Sequence, residues 1–254
     1  MKNEFQSAKE AMAADGVAIM PRFLSADEAA ELRAVVFAVY DEMNARRSSL
    51  SADLVSHFTA WNGVWTKDLP AFLGEFNPPL DARYRKMTDL ICDKVHRAFG
   101  EQWRLYPERT YFRRHIGVAN KVRWHVDADA AHTRRRHCFN VWMPLDAVGE
   151  DSPSLDIIPR SHRVMREVPL LTGEDRYRDD AFTATIGAPI VPKLAPGDAV
   201  AFDQFTLHRT QCVGSENTIR TACEFRFQRG FTMLMSAAQG AVSLARKARA
   251  ALPV

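Results

Sequence analysis

The sequence has few cysteines, little excess charge and no long apolar segment, and each absence excludes a class of protein. Its four cysteines include no CxxC pair, and the chain is not a short secreted one, so we expect reduced thiols rather than a disulfide framework. The formal net charge is only +3, which is not typical of a dedicated nucleic-acid-binding protein. No apolar run approaches the roughly 18 residues that a membrane span needs.

The N-terminus also has no apolar core of the kind found in signal peptides. We therefore expect a cytoplasmic protein that binds neither nucleic acid nor membrane. The residues give no prediction of the oligomeric state.

Helical patterns come first along the chain and strand patterns follow. Residues 4–14 and 81–99 are predicted helices, and Ser25 with Glu28 forms a capping-box pattern at the start of another. After Trp103, short apolar runs alternate with turn residues. The predicted strands are 109–116, 121–126, 137–145, 155–158, 186–193, 198–203, 206–211 and 218–229. This order predicts an α+β fold with a mainly β core, either sandwich or barrel, whose helices cover one face.

No repeat or linker divides the sequence, so we expect one domain over residues 1–254. Within it the helical flank covers about 1–100 and the β core about 103–230. A short basic helix is predicted at about 236–250. The aromatic segment 57–79 is either a loop packed on the helices or a lid over a pocket.

The stretch RWHVDADAA places His125 and Asp127 two residues apart in a predicted strand. Positions i and i+2 of a strand project to the same face, so the pair is either part of a metal site or a polar strand end. His208, after another apolar strand, is the candidate third ligand. Two histidines and one carboxylate form the facial triad of non-haem Fe(II) oxygenases, which leaves coordination positions open.

Arg220 follows His208 by twelve positions, with turn residues between them. A hairpin there would return Arg220 to the metal strand. A buried arginine needs an anionic partner, and a planar guanidinium suits a carboxylate. That carboxylate is either Asp203 or Glu224, or the distal group of bound 2-oxoglutarate.

Several ordered motifs resemble the phytanoyl-CoA dioxygenase (PhyH-like) family of Fe(II)/2-oxoglutarate-dependent oxygenases, from about Asp15 to Phe227. The similar segments are DGVAIMPRFLSADEAAELRA, WHVD, NVWMPLDAVGEDSPSLDIIPRSHR, LAPGDAVAFDQFTLHRT and IRTACEFRF. The resemblance implies a double-stranded β-helix, a jelly-roll or cupin-like barrel with flanking N-terminal helices. It also implies Fe(II) held by His125, Asp127 and His208, with 2-oxoglutarate chelating the iron, its far carboxylate on Arg220, and O2 as the oxidant.

The resemblance assigns further residues to the site. Thr210 stands where the family often places a hydroxyl near that carboxylate, and Trp142 and Tyr111 are candidates for the same pocket. For Trp142 and Tyr111 the alternative is ordinary core packing.

Substrate contacts are proposed for four residues: Arg113, Arg123, Trp61 and Arg160. Arg113 and Arg123, with further arginines at 114 and 134–136 and the aromatic residues of the segment 57–79, favour an anionic small molecule with an apolar part. The alternative is that these arginines form a basic patch on the surface. Arg160 also marks a departure, because the family's PGSH segment is PRSH in this chain.

The function that the resemblance implies is that of an oxidoreductase, a dioxygenase that hydroxylates or otherwise oxidises an unactivated C–H bond of a small organic substrate. Succinate and CO2 would be released. Asp127 favours hydroxylation over halogenation, since related halogenases carry a small residue there. The alternative is a catalytically silent or cupin-like metal-binding barrel that does not use 2-oxoglutarate.

Overall fold

The computed structural model describes most of the chain. The described residues are 4–52, 54–55, 58, 63–116, 122–129, 137–171, 177–215 and 218–229. Trp61 and the predicted helix at 236–250 lie outside these residues. None of the described helices combines the length and apolarity needed to cross a bilayer.

The helices of the N-terminal part begin where the sequence supplies capping groups. The six helices assigned among the described residues are α1 Glu4–Asp15, α2 Ala26–Ala45, α3 Leu69–Phe76, α4 Pro78–Phe99, α5 Ser161–Met165 and α6 Asp180–Ile186. Both hydrogen bonds of the capping box between Ser25 and Glu28 are present, which confirms the predicted start of α2. The helix predicted at 81–99 begins three residues earlier, because the Asn77 side chain accepts a hydrogen bond from the Leu80 N–H (3.1 Å).

Among the described residues, nine strands form two antiparallel sheets. They are β1 Val17–Met20, β2 Gly63–Trp65, β3 Trp103–Leu105, β4 Tyr111–Ile116, β5 Cys138–Pro144, β6 Leu155–Ile157, β7 Ala199–Asp203, β8 His208–Thr210 and β9 Ile219–Arg229. The larger sheet has the order β1-β7-β5-β9-β4-β2, with β3 also pairing β9, and the smaller consists of β6 and β8. The predicted mainly β core is confirmed.

Two of the predicted strands are wrong. In the run 186–193, α6 ends at Ile186, and Ile190 makes a single bridge to Ile157. In the described part of the run 121–126, His125 forms an isolated bridge to His208, and the Thr210 N–H donates to the Val122 carbonyl (3.0 Å). Both runs are apolar enough for a strand, but neither forms a continuous ladder with a neighbouring strand.

Residues of the central strand β9 alternate between two environments. Cys223, Phe225 and Phe227 belong to the main hydrophobic cluster, which they share with residues of the helices. Arg220 and Glu224, together with Ala222 and Arg226, line a cavity. Because strand side chains alternate, β9 separates the helix-covered core from this cavity.

Candidate active site

Three potential metal ligands converge at the cavity. One ligand atom from each of His125, Asp127 and His208 lies within 4.8 Å of the other two. His125 and His208 are joined by two backbone hydrogen bonds, each 3.1 Å from nitrogen to oxygen. Their rings lie 4.2 Å apart between centroids, so the backbone pairing itself brings the imidazoles together.

The structure around Asp127 differs from the strand that was predicted to place His125 and Asp127 on one face. Asp127 begins a short 3-10 turn, Asp127–Asp129, and is not a strand residue. The turn is fixed by hydrogen bonds from the Ala128 N–H to the Gln204 carbonyl (2.9 Å) and from the Asp129 N–H to the Val126 carbonyl (3.2 Å). The turn, and not strand alternation, therefore places the carboxylate.

Both histidines present the same ring nitrogen to the site. Nδ1 of His208 lies 2.9 Å from the Thr206 carbonyl oxygen, and Nδ1 of His125 lies 2.9 Å from the Arg123 carbonyl oxygen. A carbonyl can only accept, so each Nδ1 carries the proton. Each Nε2 is then left with the lone pair that a metal ion needs.

Asp127 is held as an anion. Nη2 of Arg226 lies 2.9 Å from its Oδ1, and the Asn140 amide donates to its Oδ2. Burial alone would raise the pKa of Asp127, but Arg226, His208 and His125 lower it to about 2. The carboxylate is therefore ready to bind a cation without first losing a proton.

Sequence reasoning missed the network behind Asp127. Arg226 also donates to Glu224 (2.8 Å), and the Tyr111 hydroxyl donates to the other oxygen of Glu224 (2.8 Å). Asp127 and Glu224 raise the pKa of Arg226 against the effect of burial, whereas burial raises the pKa of Glu224. Arg220, Glu224 and Arg226 stand at alternate positions of one strand, and this pattern in the sequence could have indicated the network.

Arg220 has the features expected of an anion-binding residue. Only 3% of it is exposed, and its Nε has no hydrogen-bond partner among the described residues. The guanidinium carbon lies 5.2 Å from the centroid of the Trp142 ring. Burial, with Arg113 nearby, lowers the pKa of Arg220 to about 10. This arginine would gain from a bound carboxylate.

The two protein carboxylates considered as partners for Arg220 are engaged elsewhere. Asp203 accepts a hydrogen bond from Arg166 (2.8 Å), and Glu224 accepts from Arg226. The alternative explanation of Arg220, an ion pair with one of these acids, is therefore not what the structure contains.

The three donors and Arg220 share one cavity of about 410 Å³. Thr210, Trp142 and Tyr111 line it as well, so the structure brings the predicted co-substrate residues together with the predicted metal ligands. The Thr210 hydroxyl accepts a hydrogen bond from the Val122 N–H (3.3 Å), and its own proton can be donated into the cavity.

The residues predicted to contact the substrate differ in their position relative to the cavity. Arg113 lines the cavity. Arg123 is exposed, and its guanidinium carbon lies 4.4 Å from the centroid of the Tyr177 ring, which does line the cavity. Tyr177 was not predicted to reach the site.

The prediction for Arg160 needs correction. Arg160 is not among the lining residues of the cavity. It adopts φ 65°, in the left-handed region, and its exposed side chain pairs with Asp15 (3.0 Å). It occupies the glycine position of the turn at the cost of backbone strain, and its side chain belongs to the contact with α1.

The donor set fits a non-haem iron. Imidazole nitrogens with one carboxylate, arranged on one side of a cavity, are the ligands of Fe(II) oxygenases. Arg220, whose buried Nε has no hydrogen-bond partner among the described residues, lines the same cavity.

A comparison with models of protein families identifies the family of this chain. Residues 12–222 match the model described as phytanoyl-CoA dioxygenase (PhyH). The chain belongs to this family. Membership makes it an Fe(II)- and 2-oxoglutarate-dependent dioxygenase that uses O2, as the resemblance of the motifs implied.

Solved structures support the same fold. EctD from S. alaskensis, crystallised with 2-oxoglutarate and 5-hydroxyectoine, is 19% identical, with a TM-score of 0.64 over 87% of this chain and 74% of that one. EvdO2 from Micromonospora carbonacea var. aurantiaca, complexed with 2-oxoglutarate, is 22% identical, with a TM-score of 0.57 over 88% and 90%. These likenesses confirm the double-stranded β-helix fold.

A third neighbour is described as the non-heme alpha ketoglutarate dependent epimerase SnoN from nogalamycin biosynthesis. It is 16% identical, with a TM-score of 0.57 over 88% of this chain and 81% of that one. No curated protein matches the sequence.

Proposed function

We propose that this dioxygenase oxidises an unactivated C–H bond of a small anionic organic substrate, with hydroxylation as the main outcome. The observation that supports it is a three-donor cluster and a buried, incompletely hydrogen-bonded arginine in one cavity. When bound, Fe(II), 2-oxoglutarate and O2 supply the oxidation, and 2-oxoglutarate leaves as succinate and CO2.

His125, Asp127 and His208 would hold the iron. Three protein ligands would leave coordination positions open for the co-substrate and O2. The Nδ1–H groups of the histidines, each donating to a backbone carbonyl, fix the orientation of both rings.

Arg220 and Thr210 would hold the distal carboxylate of 2-oxoglutarate. The guanidinium has a buried Nε to donate, and the Thr210 hydroxyl lies in the same cavity. Trp142 forms the wall beneath the guanidinium, and Tyr111 contributes indirectly by hydrogen-bonding Glu224.

The charges of the cavity wall favour an anionic substrate. Among the described residues, two carboxylates line it, Asp127 and Glu224, against five arginines, namely Arg109, Arg113, Arg209, Arg220 and Arg226. Arg209 pairs with Asp156 and Asp180 (both 2.7 Å). Arg226 faces Asp127 and Glu224. The described part of the wall therefore carries more arginines than carboxylates, and such an excess of positive charge attracts an anion.

The apolar part of the substrate would contact aromatic and aliphatic side chains of the same wall. Tyr177, Leu155 and Phe202 line the cavity. We therefore propose a small acid with an apolar body.

Succinate release tests this proposal. Purified protein with Fe(II), O2 and 2-oxoglutarate is challenged with small carboxylic acids, each paired with its primary amide. We expect one or more acids, but not their amides, to stimulate succinate formation and to gain the mass of one oxygen atom. His208→Ala is the matched control and should release none above background.

Two results would count against the proposal in different ways. Stimulation by amides and acids alike would remove the anionic-substrate claim. Protein that binds Fe(II) and yet neither binds nor consumes 2-oxoglutarate would favour the cupin-like alternative. A product that has not gained an oxygen atom would indicate an outcome other than hydroxylation. The neighbour SnoN, described as an epimerase, is an example of a protein with such an outcome.

A further inference from the structure

A closed ring of hydrogen bonds supports the metal carboxylate. Arg226 donates from Nη2 to Oδ1 of Asp127 (2.9 Å) and from Nε to Oδ1 of Asn140 (2.6 Å). The Asn140 amide nitrogen donates to Oδ2 of Asp127, which closes the ring. Each oxygen of the Asp127 carboxylate is thus held by a different donor.

The register of the sheet fixes this ring. Asn140 on β5 stands directly opposite Arg226 on β9, and Tyr111 on β4 stands directly opposite Glu224. Side chains of directly opposed residues lie within about 5.5 Å at Cβ, so these pairs meet without distortion. Asp127 comes from the turn outside the sheet and is the member that the ring holds in place.

Arg226 has a second acidic partner outside the ring. Arg226 also donates to Glu224, whose other oxygen accepts from the Tyr111 hydroxyl. The guanidinium therefore serves three acceptors at once, two of them anionic, with all five side chains half-buried or buried. A planar fork with five N–H donors can do this, whereas a lysine ammonium is a single point of charge.

We propose that Arg226 and Asn140 are positioning residues that hold the carboxylate of Asp127 for a divalent cation. This inference rests on the proposed metal site. Each Asp127 oxygen contacts one donor of the ring, so the carboxylate is held in one orientation.

Two effects of Arg226 on metal affinity oppose each other. Its positive charge repels a cation, and its hydrogen bonds remove the orientational freedom of Asp127. Loss of outer hydrogen-bond partners of metal ligands typically weakens metal binding about 10- to 100-fold, so orientation outweighs repulsion. The ring should therefore strengthen metal binding even though it adds a positive charge next to the site.

Nickel binding in a double-mutant cycle tests the proposal. Ni²⁺ binds imidazole and carboxylate sites more tightly than Fe²⁺ does, so weakened sites stay measurable by calorimetry. The variants are Arg226→Lys, Asp127→Ala and the two combined, all in the full chain. We expect Arg226→Lys to weaken Ni²⁺ binding about 10- to 100-fold in the wild-type background, and to leave it within about twofold in the Asp127→Ala background.

Two further variants guard against simple misfolding. Asn140→Ala removes an uncharged member of the ring and should weaken Ni²⁺ binding about 10-fold. Arg83→Lys alters an arginine–carboxylate pair between α4 and α2, with Glu31, and should leave the affinity within about twofold of wild type.

The possible failures are distinguishable. Unchanged Ni²⁺ affinity in Arg226→Lys would overturn the positioning role. An equal loss in both backgrounds would also overturn it, because the effect would then not pass through Asp127. Wild-type protein that binds no Ni²⁺ would overturn the metal site itself, and with it the proposed function.

Discussion

The buried arginines of the cavity differ in whether the protein balances their charge. Arg226 lies against Asp127 and Glu224, both within 2.9 Å. Arg220 is equally buried, yet its Nε has no partner among the described residues. An uncompensated buried cation costs folding free energy, and a co-substrate dianion that occupies the site would recover it.

Replacement of Arg220 tests this at a single position. We expect Arg220→Ala to weaken 2-oxoglutarate binding to the Ni²⁺-loaded protein by about 2 to 5 kcal/mol, since a buried charge would lose its partner. Calorimetry measures this without turnover. Arg83→Ala, which removes an exposed arginine paired with Glu31 (2.9 Å), is the matched control and should bind normally. Equal affinity in Arg220→Ala and wild type would contradict the assignment.

Backbone strain at Arg160 gives a second prediction at this scale. Arg160→Gly and Arg160→Ala both remove the contact with Asp15. The two variants differ in the free energy needed to adopt φ 65° at this position, which is higher for alanine than for glycine. We expect the glycine variant to be more stable than the alanine variant by about 1 kcal/mol in urea unfolding. An alanine variant at least as stable as the glycine variant would mean that the turn does not retain this conformation.

At the scale of elements, sequence patterns predicted regular structure better than the connections that form the site. The period of α2 and α4 and the alternation of β9 are set by local residues, so they could be read directly. The turn at Asp127–Asp129 depends on a hydrogen bond to Gln204, far away in sequence, and could not. The positions of Tyr177 and Arg226 likewise depend on which elements become neighbours.

One buried ion pair anchors the segment that carries Tyr177. The guanidinium of Arg178 and the carboxylate of Asp129 pair with side chains only 4% and 1% exposed. The Leu171 N–H donates to the same carboxylate (2.9 Å), and the Arg178 N–H donates to the Trp124 carbonyl (2.8 Å). The segment that carries Tyr177 is therefore tied to residues 122–129, which include His125 and Asp127.

Breaking that pair should be costly. We expect Arg178→Met to lower the free energy of unfolding by about 3 to 5 kcal/mol, because the buried carboxylate of Asp129 loses its ion-pair partner. Urea denaturation measures the loss. Lys193→Met, which breaks an exposed pair with Glu150 at 2.7 Å, should show no measurable change. A small effect of Arg178→Met would mean that the segment is not anchored through this pair.

At the scale of the whole molecule, helices and strands share one hydrophobic core. The main cluster includes Leu32 and Val36 of α2, Ile91 of α4, and Val141 and Phe225 of the sheet. The order of helical and strand patterns predicted the α+β class, and the motifs predicted the family. The single domain over 1–254 stays a prediction, since it depends on how all parts unfold together.

Unfolding measured by two probes tests that prediction. We expect far-UV circular dichroism, which follows the helices, and tryptophan fluorescence, which includes Trp124 and Trp142 beside the cavity, to give one coincident transition in urea. The physical reason is the shared core, which neither part can keep without the other. Two separate midpoints would show that the helical and β parts are independent units.

The most direct test of the central claim, a three-residue iron site that leaves room for chelated 2-oxoglutarate, is an anaerobic titration followed by visible absorption. Apoprotein receives Fe(II) and then 2-oxoglutarate, and the chelate should give a weak charge-transfer band. We predict the band in wild type, its absence in His208→Ala, and its appearance only at higher 2-oxoglutarate concentration in Arg220→Ala. Wild-type protein with iron demonstrably bound and no band would contradict the claim.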